Sequence, residues 1–131
     1  MWNAECGFTM AAMNTAEFKK RTKAYALRVI RLVDSLPNTR VGRVVGDQLL
    51  RAGTSVGANY RAAARARSRA DFIAKMAIVE EECDESLYWM ELLIDEGLVD
   101  GGRLEDLVAE GDEILAMTVS SIRTARANRE K

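Results

Sequence analysis

Apolar residues recur at steps of three and four along nearly the whole chain after Thr15, and only one proline, Pro37, stands in their way. That spacing returns each hydrophobic side chain to the same face of an α-helix, whereas a half-buried strand needs alternation at every second position. Good helix formers (Ala, Leu, Arg, Glu, Met, Lys) dominate the same stretch, and aromatic residues make up only 6% of the chain. The pattern predicts an all-α fold. At 131 residues the chain has room for one domain and one core.

Four helices can be placed. The first runs from about Thr15 to Ser35, with Phe18, Thr22, Tyr25, Val29, Leu32 and Val33 on its inner face. Asn14 with Glu17 three residues on has the form of a capping pair, and Pro37 enforces the stop. The second runs from about Thr39 to Ala66, with Val41, Val45, Gln48, Leu49, Ala52, Val56, Asn59 and Tyr60 inward. Gly46, Gly53 and Gly57 within it each cost about 1 kcal/mol relative to alanine, which close approach of a neighbouring helix would offset. Ser68 and Asp71 cap the start of the third, whose stripe is Phe72, Met76, Val79, Cys83, Leu87, Met90 and Ile94. Gly97 followed by Leu98 reads as its left-handed C-terminal cap. The fourth follows Gly101-Gly102 and carries Leu104, Leu107, Val108, Leu115, Val119 and Ile122. Short turns favour antiparallel neighbours, so the expectation is an up-and-down antiparallel four-helix bundle over residues 15–125. Residues 1–14 read as a flexible tail in which Met10 and Met13 are alternative starts, and residues 126–131 read as a basic tail.

Cys6 and Cys83 form no disulfide framework, which suits a reducing cytoplasm. No apolar run approaches the roughly 20 residues of a membrane span, and the N-terminal segment lacks the basic start of a signal peptide. A net charge of −1 hides a strong segregation. Residues 17–69 hold 13 Lys and Arg against 3 Asp and Glu, whereas residues 70–113 hold 2 against 15. Such asymmetry concerns partners and assembly rather than fold.

The basic half supplies a candidate polyanion surface. Lys19, Lys20 and Lys23, with Arg21, crowd the start of the first helix. Arg43, Arg51, Arg61 and Arg65 lie away from the inner stripe of the second, and Arg67 and Arg69 follow at the turn. These residues would neutralise backbone phosphates of RNA or DNA without reading bases, and sparse aromatics argue against stacking on single strands. Near its end the third helix is apolar almost all round, and Tyr88, Trp89, Leu92 and Leu93 are expected to meet another subunit. A ring that sets a basic second helix beside an acidic third would use the charge segregation as well.

Little points to catalysis. With no histidine, the Glu-x-x-His pairs of di-iron bundles, Ser-His triads and most zinc sites are excluded. No phosphate-binding glycine loop is present, and no cofactor is expected. The one enzymatic alternative is Glu81-Glu82-x-x-Glu85, similar to the acidic helix motif of all-α nucleotide pyrophosphohydrolases, where carboxylates hold magnesium against a triphosphate. A second acidic motif is poorly matched by Glu91 with Asp95 or Glu110 with Glu113.

The stretch Asp47-Gln48-Leu49-Leu50-Arg51-Ala52-Gly53-Thr54-Ser55-Val56-Gly57-Ala58-Asn59, followed after a turn by Asp71-Phe72-Ile73, resembles a known signature. It is similar to that of the four-helix-bundle family named for reading frames within 23S ribosomal RNA intervening sequences. Glu85 matches the acidic residue that this family carries past the phenylalanine, and the likeness extends over roughly Phe18 to Ile122. The family's usual glutamate after the asparagine is absent, since Ala62 occupies its place. The resemblance implies an antiparallel bundle assembling as a homopentameric ring with a central channel and no established enzymatic activity. It also implies kinship with accessory proteins of diversity-generating retroelements, whose partners are nucleic acid and a reverse transcriptase. On this reading Gln48, Ser55 and Asn59 are interior polar residues that set helix register.

Overall fold

The computed structural model describes Trp2 and residues 14–128. Four helices follow in order: α1 (Thr15–Asp34), α2 (Arg40–Ala64), α3 (Arg69–Asp95) and α4 (Gly101–Ala127). Each starts at a side-chain cap that satisfies an otherwise orphaned amide. Asn14 Oδ1 accepts from the Glu17 amide at 2.8 Å, and Thr39 Oγ1 from the Gly42 amide at 3.1 Å. Ser68 Oγ accepts from the Asp71 amide at 3.1 Å, and Asp100 Oδ1 from the Gly102 amide at 3.0 Å. At the end of α3, Gly97 takes φ +77°. Its amide reaches Ile94 O at 3.0 Å while the Leu98 amide reaches Leu93 O at 2.9 Å, the paired bonds of a Schellman stop.

The helices alternate in direction as a four-helix bundle. α2 packs broadly on both α1 and α3, α3 packs on α4, and α1 meets α4 along a much thinner seam. Phe18, Tyr25, Val29, Leu49, Val56, Tyr60, Phe72, Met76, Val79, Met90, Leu93 and Ile114 are fully buried between them. Phe18 and Tyr60 meet edge to face with ring centroids 4.6 Å apart. Trp2 tilts against Phe72 at 5.0 Å, Asn14 caps α1, and the rest of the expected N-terminal tail lies outside the described residues. Arg126 belongs to α4, and residues 129–131 also lie outside the described part. No helix among the described residues is long and apolar enough to cross a membrane.

Two inner faces differ from expectation. In α2 the buried set is Gly42, Gly46, Leu49, Ala52, Gly53, Val56, Tyr60 and Ala63, so the glycines face inward. Val41 is 48% exposed and Gln48 is also on the surface. A Cβ at Gly53 would lie 2.8 Å from Val29 Cγ1, which shows how closely α1 crosses there. Ser55 and Asn59 are half-buried and serve their own helix, donating to Arg51 O at 2.6 Å and Ser55 O at 2.8 Å. In α4, Ile114 takes the core position beside Gly111, Thr118 and Ser121, while Leu115 and Val119 are only half-buried.

One polar chain threads the core. Ser86 Oγ donates to Cys83 O at 2.7 Å, so the 2.8 Å contact between Tyr25 and Ser86 uses the tyrosine proton. Cys83 Sγ donates to Gly111 O at 3.3 Å. Burial pushes the Cys83 thiol up to about 12, which suits a structural thiol rather than a nucleophile.

Candidate nucleic-acid interface

Because α1 and α2 run antiparallel, the start of one lies beside the end of the other. This places Lys19, Lys20 and Lys23 opposite Arg61 around an open groove of about 550 Å³. The floor is Ala26, Thr54, Gly57 and Ala58, side chains too small to fill the space between the helices. Thr54 donates to Leu50 O at 2.7 Å, so its hydroxyl proton stays with its own helix. All four cations are exposed, and none forms an ion pair among the described residues. The groove can therefore take an anionic chain without first breaking a salt bridge.

The remaining basic residues divide by their neighbours. Arg21 turns the other way and joins α1 to α4, with Nε 2.7 Å from Glu110 and Nη2 2.7 Å from Glu113. The hydrogen bond to Glu110 raises the guanidinium pKa, and the same bond lowers that of the Glu110 carboxyl. Arg51, expected to meet phosphate, instead pairs with Glu82 at 3.0 Å and with Glu85. Glu85 also accepts from Trp89 Nε1 at 3.1 Å, and its carboxyl is held below the usual range chiefly by Arg51. Arg43 sits at the far end of α2, bonded to Asn38 at 2.9 Å, and lines no part of the groove. Arg65, Arg67 and Arg69 follow the end of α2 at the same pole as Lys19, outside the groove lining. There Asp71, its pKa lowered chiefly by a hydrogen bond from Lys75, also feels the charge of Arg67.

The acidic motif does not form an open carboxylate cluster. Glu82 and Glu85 are tied to Arg51, Glu81 points to solvent, and no metal-holding group of Asp, Glu or Cys occurs among the described residues. Of the expected interface residues, Tyr88 is 51% exposed and stacks edge-on against half-buried Trp89 at 5.2 Å. Leu92 lines a 350 Å³ apolar hollow with Val41, Val45 and Leu98. Leu93 lies at the base of the same hollow but is itself wholly buried in the bundle core. Sequence reasoning missed the groove floor, and the available signal was the small residues Thr54, Gly57 and Ala58 spaced along one face of α2 ahead of Arg61.

An all-α four-helix bundle with an unpaired cationic groove between its first two helices is the class that fold and site define. The family model described as 23S rRNA-intervening sequence protein matches residues 14–120, and the chain belongs to that family. It is also similar to a crystal structure of a protein of unknown function from the S23 ribosomal protein family of Bacteroides thetaiotaomicron. The two share 37% identity with a TM-score of 0.78, over 85% of this chain and 99% of that one. No curated protein matches the chain.

Proposed function

We propose that the chain is a non-enzymatic bundle protein that binds structured RNA by its phosphate backbone in the α1–α2 groove. The observation that carries this reading is the set of four unpaired cations, Lys19, Lys20, Lys23 and Arg61, around one groove. A family named for a segment of ribosomal RNA agrees with it. Binding would proceed by counterion release: each neutralised phosphate contributes about 0.7–0.9 to the slope of log affinity against log salt, so four contacts give a slope near −3. Assembly of several copies would multiply the effect, since linked sites engage one strand at high effective concentration.

Fluorescence anisotropy with a structured RNA and a matched DNA, repeated across salt, tests it. The double variant Lys19→Ala/Arg61→Ala should weaken binding to all sequences alike and reduce the slope by nearly 2, on the order expected for two lost contacts. Arg51→Ala, which removes a cation already held by Glu82 and Glu85, should leave affinity unchanged. Equal affinity of the double variant and the parent protein would reject this groove.

A second reading, self-association, rests on apolar surface that the bundle leaves open. Tyr88, packed on Trp89, is 51% exposed and Val44 57%, and Val41 and Leu92 line one apolar hollow between α2 and α3. Sedimentation across salt would separate the two: an oligomer dissolved by Tyr88→Glu, with no RNA affinity at any salt, would make assembly the function in place of RNA binding.

A further inference from the structure

A second cationic hollow lies towards the other end of α1, on its α4 side. The end of α1 and the start of α4 enclose about 230 Å³, with Arg28, Arg31 and Arg103 at the rim and Leu32, Leu104 and Leu107 as the apolar wall. No acidic side chain lines it, and none of the three arginines forms an ion pair among the described residues. Two nearby carboxylates have partners of their own: Glu110, which feels the charge of Arg28, is bonded by Arg21, and Asp100 caps the Gly102 amide.

The placement of Arg103 is electrostatically adverse. It is the third residue of α4, in a first turn that carries no acid, where the helix dipole already presents positive charge. Two more guanidinium groups beside it add repulsion that nothing in the hollow relieves. Apolar walls reduce screening, so a counter-charge seated there would be held more firmly than on open surface. Three fork-shaped donors around a small volume suit a compact oxyanion of high charge rather than a running strand.

We propose that this hollow binds a phosphate monoester or inorganic phosphate in its dianionic form, held by Arg28, Arg31 and Arg103. The site is separate from the lysine groove and does not depend on it. The ligand is either free phosphate or the terminal phosphate of a nucleic-acid strand.

Calorimetric titration with inorganic phosphate, at ionic strength matched with chloride, is the test. Binding is expected in the parent protein and loss of about tenfold or more in affinity in Arg31→Ala/Arg103→Ala. Affinity should also rise between about pH 5 and pH 7.5, as the anion gains its second charge. The same variant without phosphate should melt no lower than the parent, because repulsion has been removed. Absence of phosphate binding to the parent protein, or binding unaffected by the double replacement, overturns the site. Comparing a 5′-phosphorylated oligonucleotide with its 5′-hydroxyl counterpart cancels any contribution from the groove. Tighter binding of the phosphorylated form, lost in the variant, assigns the site to strand ends; equal binding with phosphate affinity intact assigns it to free phosphate.

Discussion

Gly111 offers a strict test of how the core is packed, because one added methyl meets two neighbours of different stiffness. A Cβ there would sit 2.7 Å from Leu87 Cδ2 and 2.9 Å from the Tyr25 hydroxyl, well inside the roughly 3.5–4.0 Å of ordinary contact. Leu87 is half-buried and can turn aside. Tyr25 cannot, since it is wholly buried and bonded to Ser86 at 2.8 Å. Gly111→Ala gains about 1 kcal/mol of helix propensity but incurs about 1–3 kcal/mol of overpacking, for an expected net loss near 1 kcal/mol. Tyr25→Phe loses one hydrogen bond, about 1 kcal/mol, and strands no donor because Ser86 still donates to Cys83 O. In the Tyr25→Phe background the alanine at 111 no longer meets the hydroxyl, leaving Leu87 and the milder 3.3 Å approach of ring Cε1, so its cost should fall by about 1 kcal/mol. Urea unfolding of the four proteins by circular dichroism measures the cycle. Additivity within about 0.3 kcal/mol, or a Gly111→Ala variant more stable than the parent, would refute the packing argument.

Two further outcomes follow from particular contacts. Arg21 holds the Glu110 carboxyl below its ordinary value of 4.5, so the stability it contributes is complete above that value and is lost as pH falls through the depressed one. Thermal melts should therefore show a shallower acid decline for Glu110→Gln than for the parent below pH 4.5, and parallel declines would contradict the assignment. Gly97 has φ +77° and nothing within 4 Å of an added Cβ, so Gly97→Ala should cost about 1–2 kcal/mol by backbone strain alone. Gly97→Asn should recover part of that loss in the same urea assay, and an alanine variant equal to the parent would remove the strain argument.

Helix ends were legible because caps are local chemistry. Asn14, Ser68 and Gly97 act where their side chains or backbone freedom predict. The inward face of α2 was legible at Leu49, Ala52, Val56 and Tyr60 but not at its start, where Gly42 and Gly46 are buried and Val41 lies outward. Hydrophobic periodicity weighs a glycine as nothing, although the helix-propensity cost of Gly53 did point to the close crossing with α1 found there. The same omission moved the α4 core away from Ile114. At the candidate site, the residue types were readable and their availability was not. Arg51 and Arg61 look alike in sequence. Only the antiparallel register of α2 on α3 sets Glu82 and Glu85 against the first while the second turns to the lysines of α1.

The thin seam between α1 and α4 divides the molecule by cooperativity. α2 is gripped from both sides, whereas α4 is held mainly by α3 and by the Arg21 bridge. Detachment of α4 thus requires less than global unfolding, and its amide protons should exchange through that smaller opening while those of α2 await the whole molecule. A chain emerging from the ribosome in this order can assemble α1, α2 and α3 first, and receives its last helix as a lid on a core already formed.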